Sequence, residues 1–101
     1  MARLVAYGHA GIDPKIMGLG PVSAVQRVLA KAGLKLDQMD VIESNEAFAA
    51  QVIPSAKHLG FGLDKVNING GAVAIGHPVG ASGGRLVSTL LNGLEASGGR
   101  Y

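Results

Sequence analysis

The stretch NINGGAVAIGHPVGASGG, residues 67–84, decides how the fold and the function are interpreted. It places one histidine, His77, among six glycines and small apolar residues. Such a density of glycine is typical of tight turns and of backbone that comes close to another group. An imidazole titrates near neutral pH, so it can accept or donate a proton there. The stretch indicates a loop at a functional site, and the structural alternative is a loop histidine satisfied by backbone contacts.

The composition of the 101 residues limits the class of protein. Apolar residues make up 48 % and charged residues only 16 %, which allows a core and indicates that some faces meet other protein. The formal net charge of +2 is too small to indicate nucleic acid or an anionic membrane as a partner. No apolar run reaches the roughly 20 residues that span a bilayer. The first residues lack the layout of a signal peptide, and we expect a cytoplasmic location.

The side chains that bind metals or form thiolates are scarce. The sequence has no cysteine, so it holds neither a disulfide nor a thiol nucleophile. Its histidines, His9, His58 and His77, lie far apart and lack the spacing of metal ligands. We therefore expect no metal site.

The apolar pattern predicts an alternation of short strands and helices. The predicted strands are Leu4–Tyr7, Asp40–Ser44 and Val66–Asn69. The predicted helices are one that opens at Pro21 and closes at Gly33, one that follows Asn45 with a kink near Pro54, and one from about Ser82 to Gly98 and Gly99. This order predicts an α/β layer fold without an internal linker.

Residues 80–84, GASGG, match the G-x-S-x-G pattern of the α/β-hydrolase nucleophile elbow. That elbow needs a strand directly before the serine, whereas Pro78 lies four residues ahead of Ser82. The hydrolase order also places a histidine after the serine, and none follows here. We interpret Ser82 as a helix N-cap instead.

Three blocks of the sequence resemble the thiolases, the family of acetyl-CoA acetyltransferases and 3-ketoacyl-CoA thiolases. SNEAFAAQ at 44–51 and NGGAVAIGHPVGASGGR at 69–85 resemble two C-terminal signatures of that family, and DPKIMGLGP at 13–21 resembles a third. The resemblance extends from about Ala2 to Tyr101. It implies a thiolase-like fold, with residues 1–101 as a partial C-terminal domain whose mixed sheet lies between helix layers.

The resemblance implies roles for two catalytic residues. His77 matches the histidine that lies beside a nucleophilic cysteine in thiolases, where an imidazole accepts the thiol proton and donates to the thioester oxyanion. Asn45 matches an asparagine that holds a water at the oxyanion site. A helix N-cap is the structural interpretation of Asn45, and both roles are compatible. We interpret Glu46, at the expected helix start, as structural.

Three further residues are implied to bind substrate. Ala47 and Phe48 match positions near the acyl pocket of thiolases, and Met17 matches a thiolase pocket position. From the sequence alone, Met17 equally fills a gap in a core, and Phe48 equally belongs to one.

The family also uses two cysteines, which residues 1–101 do not contain. We expect a domain that lacks the N-terminal half and the final strand with its Cys-x-Gly-Gly-Gly block. The expected parent is an acyltransferase that works by Claisen condensation or thiolysis of 3-ketoacyl-CoA, with acyl-CoA and coenzyme A as partners, no separate cofactor and a homo-oligomeric state. The alternative is an inactive truncated fragment or a non-catalytic assembly piece.

Overall fold

Helices carry most of the regular structure. The computed structural model describes residues 2–101. The α-helices are α1 (Gly20–Ala32), α2 (Val52–Leu59), α3 (Ala72–Ile75) and α4 (Val79–Ser97), and short 3-10 helices occupy Pro14–Leu19, Leu36–Gln38 and Leu63–Lys65. None of the helices in this described part is long and apolar enough to cross a membrane.

Both ends of α1 and the C-terminal end of α4 agree with the sequence prediction. Pro21 is the second residue of α1, where its missing N–H has no intrahelical acceptor to lose. Gly33 ends α1 and Gly98 ends α4, each in the left-handed region with φ 66°. The apolar periodicity therefore locates these two helices well.

The second helix begins later than predicted. α2 starts at Val52, with Gln51 as its cap residue, so the interpretation of Asn45 as an N-cap is wrong. Phe48 precedes the helix and is 65 % exposed rather than part of its apolar face. Pro54 is the third residue of α2, within the first turn, where the N–H groups have no intrahelical acceptors. The kink predicted near Pro54 is therefore wrong, because no internal hydrogen bond is lost.

The third predicted helix corresponds to α4, which begins at Val79 with Pro78 as its cap residue. The N–H of Ser82 already donates to Pro78 O at 2.9 Å, as expected one turn inside a helix. The interpretation of Ser82 as the N-cap is wrong, and its side chain is available for another contact.

Extended backbone is paired at one place among residues 2–101. Ile42 and Val66 form a parallel bridge, in which the Ile42 N–H donates to Lys65 O at 2.8 Å and the Asn67 N–H donates to Ile42 O at 2.9 Å. The predicted strand at Leu4–Tyr7 is not formed, because a strand needs a neighbour for its N–H and C=O groups. The predicted Val66–Asn69 strand stops at Asn67, whose φ of 49° turns the chain. The implied mixed sheet is thus not confirmed.

The core is small: one part lies where α4 covers this bridge, and Val22 of α1 and Ala56 of α2 are also buried. Val41 and Val66 are buried, and Gly93 of α4 packs against Val41 and Ile68, since a Cβ there would lie 3.3 Å from the Val41 side chain. No side chain of residues 2–101 is less than 2 % exposed, while Leu4 is 78 % exposed. The fold therefore fixes the 41–46 and 66–82 segments beside each other and leaves other apolar faces bare.

Candidate active site

His77 lies half-buried in the short connection between α3 and α4. The preceding Gly76 has φ 98° and ψ 164°, a conformation that is strongly disfavoured for any residue with a Cβ. This turn ends α3 after one helical turn, and Pro78 is then the cap residue of α4. The glycine-rich sequence therefore presents a single imidazole between two helices.

Both ring nitrogens of His77 have a polar partner. Nε2 lies 3.3 Å from Nδ2 of Asn45, and Nδ1 lies 2.6 Å from Oγ of Ser82. Ser82 is only 5 % exposed, and its hydroxyl donates to Pro78 O at 3.1 Å. A hydroxyl has one hydrogen, and because Pro78 O can only accept, we assign that hydrogen to Pro78 O and Ser82 Oγ as the acceptor of Nδ1–H of the imidazole. The hydrogen of neutral His77 then sits on Nδ1.

The Asn45 contact agrees with this tautomer. The Nδ2 amide is a donor, and it faces Nε2, which carries a lone pair when the proton is on Nδ1. The ring orientation is therefore fixed from both ends, and the basic nitrogen is the one on the Asn45 side. Such an imidazole accepts a proton at Nε2 and, once protonated, donates from the same atom.

The other polar atom of the Asn45 amide, its carbonyl oxygen Oδ1, is buried. Oδ1 makes no hydrogen bond with another group among the described residues. A buried carbonyl oxygen normally has a partner, which is often an ordered water. The amide thus contributes a donor to the imidazole and has an acceptor left for a small polar molecule.

The segment that carries Asn45 is bonded to the start of the glycine loop. Asn67 accepts the Ser44 N–H on Oδ1 at 2.8 Å and donates through Nδ2 to Ser44 O at 2.9 Å. The same Nδ2 donates to Oε1 of Glu46 at 2.8 Å, and Oε2 of Glu46 accepts the Val73 N–H at 2.8 Å. Polar contacts therefore surround Asn45 on both sides along the chain.

An ion pair lies just before this segment. Glu43, whose side chain is 2 % exposed, accepts from Arg85 of α4 at 3.2 Å. Burial raises the pKa of the Glu43 carboxyl, and the Arg85 guanidinium offsets part of that rise. The pair ties residues 43–44 to the helix that also carries Ser82.

The structure brings together two of the five residues singled out for the site. Asn45 and His77 are in contact, 32 residues apart in sequence. Ala47 is half-buried two residues beyond Asn45, and Phe48 is exposed. Met17 is 59 % exposed and lies in an open groove along α2, beside Gln51 and Pro54.

Two residues of this site were not predicted. Ser82 contacts the imidazole, and the signal for it was a small polar residue five positions after His77 on the next helix. Asn67 pairs with Ser44, and its signal was an asparagine at the end of an apolar alternation, where a left-handed turn is tolerated. Neither contact is encoded by spacing alone, because both depend on how the loop folds back.

A family model described as "Thiolase, C-terminal domain" matches residues 1–101. The chain is 52 % identical over 102 residues to an acetyl-CoA acetyltransferase of Syntrophomonas wolfei, covering 99 % of this chain and 26 % of that protein. It is 56 % identical over 102 residues to a β-ketoadipyl-CoA thiolase of Acinetobacter baylyi, covering 99 % of this chain and 25 % of that one.

The same likeness is found among solved structures. The crystal structure of human mitochondrial 3-ketoacyl-CoA thiolase in complex with CoA matches with a TM-score of 0.91 and 47 % identity, over 94 % of this chain and 24 % of that one. The chain thus spans about a quarter of the length of the proteins it matches. At this identity and TM-score the thiolase-like fold is established for the described residues.

Proposed function

The chain belongs to the thiolase family, as a C-terminal domain, and from that premise we propose that it supplies the oxyanion-binding histidine and asparagine of an acyltransferase acting on coenzyme A thioesters. The observation that carries the proposal is the pairing of His77 with Asn45 on one ring nitrogen and with Ser82 on the other. The acyltransferase is a larger polypeptide that includes these residues and provides the thiols.

The first half of the reaction uses His77 as a proton acceptor. Nε2 takes the proton of a cysteine thiol contributed by the rest of the polypeptide, since these 101 residues contain none. The thiolate sulfur bonds to the thioester carbonyl carbon, and Nε2–H donates to the oxygen on which charge develops. The bond from that carbon to the coenzyme A sulfur then breaks, and the proton on Nε2 passes to the departing sulfur.

Ser82 and Asn45 keep the imidazole ready for this cycle. Ser82 Oγ accepts from Nδ1–H in both the neutral and the protonated ring, so the ring does not have to rotate when Nε2 changes state. Asn45 carries the unpaired Oδ1 on the same side, which suits the water that we propose for the oxyanion site. Donors fixed in advance stabilise the developing charge without reorganising during the reaction.

The second half transfers the acyl group from the cysteine to the second substrate. In the condensation direction the acceptor is the α-carbon of a second acyl-CoA, which gives a proton to a base of the complete polypeptide, bonds to the acyl carbon and releases the cysteine sulfur. Thiolysis reverses this order: the cysteine sulfur bonds to the 3-keto carbon, the bond from that carbon to the α-carbon breaks, and the α-carbon takes a proton and leaves as acyl-CoA. Coenzyme A then accepts the acyl group from the cysteine. The exposed side chains of Met17 and Phe48 are proposed, with Ala47, to contact the acyl or pantetheine part of the substrate. Their apolar surface suits the methylene and methyl groups of those parts.

The proposed partners are acyl-CoA, coenzyme A and further copies of the same polypeptide. No separate cofactor is required, because coenzyme A arrives with the substrate. We propose that the protein acts in the cytoplasm. Relatives of similar identity bear the names acetyl-CoA acetyltransferase, β-ketoadipyl-CoA thiolase and 3-ketoacyl-CoA thiolase, so the proposal covers 3-ketoacyl-CoA substrates as a class.

The test is a thiolysis assay on the complete polypeptide. Acetoacetyl-CoA and coenzyme A are supplied, and each acetoacetyl-CoA consumed is expected to yield two acetyl-CoA. Longer 3-ketoacyl-CoA substrates are assayed in parallel. A folded protein that consumes none of these substrates in the presence of coenzyme A contradicts the proposal. A protein that forms acetyl-CoA without consuming coenzyme A contradicts the thiolytic mechanism.

A further inference from the structure

We propose that Asn67 and Glu46 act as a clamp that sets the position of Asn45 against His77. The inference rests on the proposed function and assigns two positioning residues to it. Neither side chain contacts the imidazole. They act through the backbone on both sides of Asn45, which is the residue that does.

Asn67 replaces a pair of strand hydrogen bonds with its side chain. The parallel bridge ends when the Asn67 N–H donates to Ile42 O, and the φ of 49° then turns the backbone away. The Asn67 amide continues the pairing by bonding both the N–H and the C=O of Ser44. Rotating the amide by 180° would place its donors and acceptor against the wrong groups, so its orientation is fixed. Ser44 is therefore held in register with the 66–67 segment.

Glu46 fixes the other side of Asn45. Its two carboxylate oxygens accept from the Asn67 side chain and from the N–H of Val73 at the start of α3. A Cβ on Gly71 would overlap this carboxylate, so the glycine leaves the space that Glu46 fills. The carboxylate thus joins the Asn45 segment to the helix whose end leads into His77.

The consequence is a defined separation between two residues from distant parts of the chain. Asn45 lies between two clamped neighbours, and His77 follows the helix held by Glu46. The 3.3 Å contact between their side chains depends on both attachments. A misplacement of about 1 Å at a catalytic group costs up to about 100-fold in rate.

The test is a double-mutant cycle in the complete polypeptide, in which the rate of cysteine acylation by acetyl-CoA is measured. Asn67→Gly removes the amide and leaves a residue that tolerates the positive φ. We expect it to slow acylation about 10-fold while the KM for acetyl-CoA changes less than about 3-fold. In the Asn45→Ala background the same change is expected to cost less than about 3-fold, because its effect passes through Asn45.

The control removes an asparagine side chain that bonds only its own helix. Asn92 donates to Ser88 O on the exposed side of α4, and Asn92→Ala is expected to leave acylation unchanged. Where Asn67→Gly does not fold, Glu46→Gln enters the same cycle with an expected loss of about 3-fold to 5-fold, since one of its two contacts survives.

The outcomes separate the clamp from the function. If Asn67→Gly slows acylation by the same factor in the wild-type and Asn45→Ala backgrounds, Asn67 does not act through Asn45, and the inference is overturned. An Asn67→Gly enzyme as fast as wild type overturns it as well. If Asn45→Ala is itself as fast as wild type, the catalytic role of Asn45 fails and the clamp fails with it. Absence of any acylation in the wild-type protein contradicts the proposed function instead.

Discussion

Two regions of the molecule differ in how far their polar and apolar groups find partners within the described residues. In the polar site, residues 43–46 and 67–82, side chains hydrogen-bond to one another and to nearby backbone. The Asn67 side chain alone makes three of these hydrogen bonds. The N-terminal arm, residues 2–12, contacts α1 near Tyr7, where Lys31 donates to Tyr7 O and lies over the Tyr7 ring, and its first residues line a groove with Leu90 and Leu94 of α4. Its backbone is unpaired with any strand, and Leu4 and Tyr7 remain 78 % and 69 % exposed.

The difference separates positioning from stability. The site residues are held by directional bonds between near neighbours in space, so their geometry is set within these residues. The arm carries apolar surface, which stabilises a fold only where something covers it. We therefore expect that contacts among these residues set the geometry of the site, and that the stability of the fold depends on other protein that covers the apolar surface.

The largest effect is expected when the 101 residues are produced alone. Without a cysteine they cannot form the acyl intermediate, and the bare apolar faces favour aggregation. Purified residues 1–101 are expected to give no thiolysis of acetoacetyl-CoA and no cooperative thermal transition. Turnover above a buffer blank contradicts the first expectation, and a cooperative transition from a monomer contradicts the second.

The helix ends and the site pair were predictable because short-range chemistry encodes them. Gly33 and Gly98 end their helices through the left-handed conformation that glycine adopts readily. The residues around His77 and Asn45 identify the family, and the contact between these two is present. The strand predicted at Leu4–Tyr7 is not formed, because an apolar run becomes a strand only when a neighbouring strand pairs with it.

A loss of the ion pair beside the site is expected to be the next largest effect. Arg85→Met leaves the Glu43 carboxylate with little solvent, and we expect a cost of about 2–3 kcal/mol at neutral pH. The cost is below the ~3–5 kcal/mol of a fully buried pair because Arg85 is 21 % exposed. Thermal or denaturant unfolding of the complete polypeptide measures it.

The pH dependence of that variant has a definite sign. Burial already raises the pKa of Glu43, and removing Arg85 raises it further. The native state then binds more protons than the unfolded state, so stability falls as pH rises from the ordinary glutamate value of about 4.3 through the raised native value. The difference in unfolding free energy between wild type and Arg85→Met should therefore become smaller at acid pH. The double variant Glu43→Gln/Arg85→Met is the control and should show no such recovery; a deficit that is constant with pH contradicts the account.

A smaller effect is expected from a methyl group placed in the polar site. Gly71→Ala keeps an allowed backbone, with φ −107°, and its Cβ displaces the Glu46 carboxylate. The Asn67 and Val73 contacts are then lost, and acylation should slow about 10-fold. A wild-type rate in a folded variant means that Glu46 does not need to be held there.

The smallest effect is expected at a glycine with open space around it. Gly84 lies inside α4, and a Cβ there meets nothing within 4 Å. Gly84→Ala should raise stability by about 0.5–1 kcal/mol and leave acylation unchanged. It is also the matched control for Gly71→Ala, and a loss of rate as large as at Gly71 would remove the distinction between the two glycines.

The parts of the site that the sequence did not reveal are those made by loop closure. Ser82 is interpreted from the sequence as a helix N-cap, yet α4 starts earlier, at Val79 after Pro78, and the Ser82 side chain contacts His77. Asn67 looked like the end of a strand, and its left-handed φ is what frees its amide for Ser44. Both roles depend on turns whose direction a linear pattern does not specify.

The most direct test of the central claim is single-turnover acylation of the nucleophilic cysteine by acetyl-CoA in the complete polypeptide, compared among wild type, His77→Ala and Asn45→Ala. His77 is proposed to accept the proton and to donate to the oxyanion, and we expect its loss to slow acylation by more than about 10³-fold. Asn45→Ala should cost about 10-fold to 100-fold, because a water in the space left behind retains part of its function. Acylation of His77→Ala at the wild-type rate would contradict the assignment of the imidazole as the base.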